Sequence, residues 1–108
     1  MDVERFLETA KTLDRKRKGK KEVVEEFKKC FERFRLVNRA YLDKETYEKA
    51  QGSISSMAEA MANTLRYLEG EISRLRHKGR RQPFEDLQLA EMQKVQKRNE
   101  MLLKELLS

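Results

Sequence analysis

From Val23 onward, apolar residues recur at steps of three and four. Val23, Phe27, Cys30, Phe34, Val37 and Tyr41 form one series, and Ile54, Met57, Met61, Leu65, Leu68, Ile72 and Leu75 form a second. Side chains so spaced share one face of a helix, so each series predicts a long amphipathic helix. Strands would need apolar and polar residues to alternate, and no segment does so. The pattern predicts an all-α fold: an antiparallel helical bundle of three long helices plus a short N-terminal helix, with coiled-coil-like packing, in one domain over residues 1–108.

Element ends can be placed from capping chemistry. A first helix over about 3–14 has Val3, Phe6, Leu7, Ala10 and Leu13 on one face and Asp2 before it as N-cap. The run Arg15-Lys16-Arg17-Lys18-Gly19-Lys20-Lys21 then breaks the stripe, and Gly19 suits a helix end. A second helix is expected over about 20–42, with glutamates early and arginines late, the order that complements the helix dipole. Asp43 can cap the next helical stretch, 44–77, with a break or kink near Gly52. Length argues for that break. An unbroken helix from 44 to 77 would run about 50 Å against about 35 Å for the second helix, stranding apolar residues in solvent. Restarting at Ser53 as N-cap matches it to a final helix over 83–107, which opens on Pro83 after the stop at His77-Lys78-Gly79. Gly70 falls inside the third helix, where either a close helix approach or a tolerated cost of about 1 kcal/mol would explain it. The length and three matched helices resemble spectrin-type three-helix units in architecture alone: there is no Trp, and the N-terminal helix is additional.

Charged residues are 41% of the chain and aromatics 7%, a balance expected of slender bundles that show one stripe per helix to the core. The net charge of +6 is unevenly spread. Asp14 to Lys21 holds six basic residues against one acid, and Arg74 to Arg81 holds five and none, which leaves the remainder net acidic. If the second and third helices form an antiparallel hairpin, both basic turns lie at one end of the bundle. Arg15, Lys16, Arg17, Lys18, Lys20, Lys21, Lys78, Arg80 and Arg81 would then make a patch for nucleic acid or another polyanion. Arg15 to Lys21 also resembles a basic nuclear-localisation signal. No stretch is long and apolar enough to span a bilayer, the N-terminus lacks a secretory pattern, and the single cysteine lies on an apolar stripe, so an intracellular, soluble setting, cytoplasmic or nuclear, is expected.

Chemistry is scarce in this inventory. One His, one Cys and four scattered glycines offer no zinc set, no nucleophile triad and no phosphate loop, so no catalytic, metal or cofactor residue is expected. The final helix is more informative. Met92, Val95, Asn99, Leu102 and Leu106 form a heptad track, with Asn99 at a position where a buried amide can set register or partner number. Leu89, Met101, Leu103 and Leu107 widen the apolar arc beside it, and Leu103 to Leu107 reads LxxLL. The expected function is a non-enzymatic interaction module, an adaptor or assembly subunit. It would bind protein partners, a copy of itself included, through Leu89, Met92, Val95, Asn99, Leu102, Leu103, Leu106 and Leu107. Polyanion binding through the basic turns is the alternative.

Overall fold

A computed structural model describes residues 2–16 and 21–107, the side chains of Lys16 and Leu107 excepted. The described residues form five helices and no strand: α1 (Val3–Lys16), α2 (Lys21–Val37), α3 (Lys44–Ala50), α4 (Ile54–His77) and α5 (Pro83–Leu107). The capping residues act as the sequence indicates. Asp2 accepts from the Arg5 amide at 3.2 Å, Asp43 from Thr46 at 3.3 Å and Ser53 from Ser56 at 3.1 Å, each satisfying an amide that the first helical turn leaves without a backbone partner. Gly52 falls in the break between α3 and α4.

The second helix stops at Val37, five residues short of the expected end. Asn38 stands at that end: its Nδ2 donates to the Phe34 carbonyl one turn back at 2.8 Å, and its own carbonyl accepts from the Tyr41 and Leu42 amides where the chain turns. The chain then returns alongside α2: the rings of Phe31 and Tyr47, the latter in α3, are 5.0 Å apart. Gln51, just past α3, lines one surface pocket with Glu25 and Lys28 of α2, so the chain has run back along that helix before α4 begins.

Relative helix directions follow from cross-helix pairs. Glu4 pairs with Arg66 and Asp14 accepts from the Ser55 hydroxyl at 2.9 Å, so α1 runs against α4. Arg33 pairs with Glu105 and Asn38 with Asn99, so α2 runs against α5. Lys78 meets Glu85 across the turn that reverses α4 into α5. Because α2 and α4 both oppose α5, they run in the same direction. The antiparallel hairpin expected of these two is therefore corrected, and α3 is what permits the change by returning the chain between them.

Helix α4 is the hub, touched by each of the other four helices. Ile54, Met57, Met61 and Leu65 point into the main core with Phe27, Phe31 and Phe34, while Ala58, Ala60, Ala62 and Thr64 extend burial around the helix where neighbours crowd it. Past Val37 the surroundings thin out. There α4 and α5 continue as a helical hairpin with a smaller core of Leu68, Ile72, Leu75, Leu89, Met92 and Val95, flanked by Val37 and Tyr41. The overall extents, 51 × 25 × 18 Å, reflect that projection. Among the described residues no helix is long and apolar enough to cross a membrane.

Gly70 is exposed in α4, and a Cβ built there meets nothing within 4 Å, so close approach does not account for it. Gly70→Ala should stabilise the fold by about 0.5–1 kcal/mol by narrowing the unfolded backbone ensemble. Thermal unfolding checks this. A lower midpoint would mean that the small side chain serves a contact this chain does not make alone.

Candidate functional site

The residues assigned to a partner interface from the sequence are taken up by the chain itself. Leu89, Met92, Val95, Leu102 and Leu103 are buried against α2 and α4, and Leu106 packs on the main core half-buried. The side chain of Leu107 lies outside the described residues. The wide apolar arc of α5 is therefore filled by two neighbouring helices where one groove was expected. Leu103, first leucine of the LxxLL string, is among the most buried side chains in the protein.

Asn99 is also satisfied within the chain. Asn38 Nδ2 donates to Asn99 Oδ1 at 2.7 Å, and Asn99 Nδ2 donates back to Asn38 Oδ1 at 2.9 Å. Both amides are fully buried. The partner amide that such an Asn requires is supplied by α2 of the same chain, which corrects the expectation that a second copy would supply it.

The described residues of the two basic turns do not come together. Arg15 is exposed at the end of α1 next to Asp14, which touches Ser55 at the start of α4, and Lys21 opens α2 nearby. Lys78, Arg80 and Arg81 follow the other end of α4, a helix of 24 residues and so about 36 Å long. Arg17, Lys18 and Lys20, with the Lys16 side chain, lie outside the described residues. Arg15 and Lys21 on one side and Lys78, Arg80 and Arg81 on the other flank opposite ends because α2 and α4 are parallel. Two of the turn cations also have local partners. Lys78 Nζ lies 2.7 Å from Glu85, and Arg81 reaches both Asp86, at 2.6 Å, and the Leu75 carbonyl at 3.0 Å. Glu85 in turn accepts from the Gln82 amide at 3.0 Å, so Lys78 and that amide hold its carboxyl below the usual range and close the start of α5 as a capping box does. Arg80 is exposed.

Cys30 and His77 are far apart. Burial pushes the Cys30 thiol up to about 11, with Arg33 opposing and Glu105 adding to the rise, so it is a protonated packing group at neutral pH. His77 is exposed at the end of α4, its Nδ1 2.8 Å from the Ser73 carbonyl.

The exposed apolar residues are ones the heptad reading passed over or named only in passing. Phe84 and Leu87, one turn apart at the start of α5, are 67% and 75% exposed, and Met101 is 67% exposed two heptads beyond Leu87. The spacing of 84, 87, 91, 94, 98 and 101 puts all three on one outer stripe of α5 with Glu91, Lys94 and Arg98 between them. A second helical period, offset from the buried track, would have found them. Leu36 and Tyr67 are exposed as well, the latter with its ring 6.1 Å from Tyr41. Comparison with protein-family models, curated proteins and solved structures finds no match to this chain.

Proposed function

We propose that this chain is a non-enzymatic helical interaction module, an adaptor or assembly subunit that binds protein partners through exposed helix surface, a second copy among them. The observation that carries the reading is the Phe84–Leu87 pair. Two large apolar side chains standing side by side in solvent at a helix start cost the chain hydration free energy that burial against a partner would recover, on the order of 1.5–3 kcal/mol for each residue fully covered. Met101 on the same stripe extends that surface along α5. The heptad track is the core that holds this surface rigid, and the partner meets the opposite face of the helix.

Sedimentation velocity across a hundredfold concentration range tests the self-association arm. The wild type should associate, and replacing Phe84 and Leu87 together with Ser should return it to monomer without loss of fold, since neither side chain is in the core. Association that persists in the double variant would overturn the assignment of this face.

A further inference from the structure

A groove of about 540 Å³ runs between α4 and α5 in the projecting hairpin. Ile72 and Ala90 line its apolar part, Gln93 and Gln96 its polar wall, and Arg76, Lys94 and Lys97 its cationic edges, with Glu100 as the one acid of the lining. We propose that this groove receives an acidic amphipathic helix from a partner protein, a site separate from the Phe84–Leu87 face though resting on the same reading of the chain as an interaction module.

Three observations lead to that occupant. The first is charge: three cations against one acid around an apolar floor is complementary to a helix with a small apolar stripe flanked by carboxylates. The second is a precedent inside the molecule. Helix α1 packs on α4 in this manner, its apolar face inward and its Glu4 paired with Arg66. Steps of three and four from Arg66 lead through Glu69 and Ser73 to Arg76, so the face of α4 that α1 occupies continues into the groove beyond the start of α1 at Val3. The third is Gln96, whose Oε1 is buried with no hydrogen-bond partner among the described residues. A buried acceptor left unmatched needs a donor. A side-chain N–H or O–H of a docked helix can supply it, and the apolar floor of Ile72 and Ala90 suits the apolar stripe of such a helix.

The test is selection and mapping. A display library of helices of about four turns, randomised at surface positions, is selected on wild-type protein. Hits are then measured by fluorescence anisotropy against wild type, against R76E/K97E, and against F84S/L87S; Lys94 is left unchanged because it also stands on the outer stripe of α5. Circular dichroism confirms that both variants keep the fold. Enriched helices should carry an excess of Asp and Glu, bind the groove variant at least about tenfold more weakly, and bind F84S/L87S unchanged. Hits without acidic excess, or hits that bind R76E/K97E as well as wild type, would overturn the groove assignment. Loss of binding in F84S/L87S alone would assign the hits to the α5 stripe and equally overturn it. An arm with a single-stranded oligonucleotide completes the experiment: binding that depends on Arg76 and Lys97 and falls steeply with salt, with no helix enriched, would replace the protein helix by a polyanion.

Discussion

Phe31→Ala should lower stability by about 3–5 kcal/mol, the cost of removing a fully buried ring and leaving a cavity. For a chain of this length that is a fall in melting temperature of roughly 15–20 °C. The effect is expected at the upper end because the ring serves two contacts. It lies in the main core with Phe27 and Phe34, and it packs against Tyr47 of α3 at 5.0 Å, so it also fixes the return crossing that lets α2 and α4 run in the same direction. Glu32, the next residue, is exposed, and Glu32→Ala should change stability by less than about 0.5 kcal/mol. Thermal and urea unfolding of the two variants decide the point. Equal, small losses in both would remove this face of α2 from the core.

The extent to which the fold could be read from the sequence follows from what periodicity encodes. Spacing says which residues of a helix share a face, and here every member of the series from Ile54 to Leu75 is buried, while Ala58, Ala60, Ala62 and Thr64, buried beside it where neighbours crowd α4, carry no such signal. Caps are equally local, because an Asp or Ser that accepts an amide three residues on needs no other part of the chain. Direction is not local. Whether α2 runs with α4 or against it depends on what the segment 38–53 does, and nothing in the stripe of either helix changes with the answer. The meeting of the two basic turns hung on that one unknown, since the parallel arrangement sets Arg15 and Arg80, described residues of the two segments, at opposite ends of α4. The α5 track that was read as a partner surface is packed within the chain for a related reason. An apolar arc wider than one groove indicates more than one neighbour, but the second neighbour of α5 proved to be α2 of the same chain. Exposed apolar residues such as Leu87 follow a second period, offset from the heptad track and interrupted by Glu91, Lys94 and Arg98, which a search for the single most apolar face passes over.

Asn38 shows what could have been found. It stands seven residues after Phe31 and four after Phe34, on the buried side of α2, and a polar residue at such a position asks for a partner. Asn99 at its heptad position on α5 asks for the same. Pairing the two from sequence alone would have placed α2 beside α5 in the observed register and directed attention away from a second copy.

That amide pair gives the sharpest energetic prediction. Asn99→Leu should destabilise the protein by about 2–4 kcal/mol, because Asn38 would be left fully buried with its Oδ1 unmatched and one Nδ2 hydrogen without an acceptor. In a coiled-coil dimer interface the same substitution would be expected to raise stability and relax partner number, so the sign of the change separates the two settings. Asn38→Leu alone should be similarly costly, for the mirror reason. Combining the two should cost little, within about 1 kcal/mol of wild type, since two apolar groups of matching shape replace both partners together. The Phe34 carbonyl does not suffer in the double variant. It loses the Asn38 side chain but keeps the Asn38 backbone amide at 2.9 Å. The double-mutant cycle, measured by urea unfolding, should therefore give a coupling of about 2 kcal/mol or more, well beyond what contacting residues show when each acts independently. Single effects that simply add would mean the amides do not depend on one another, and the register of α2 on α5 would then rest on the surrounding apolar contacts and the Arg33–Glu105 pair alone.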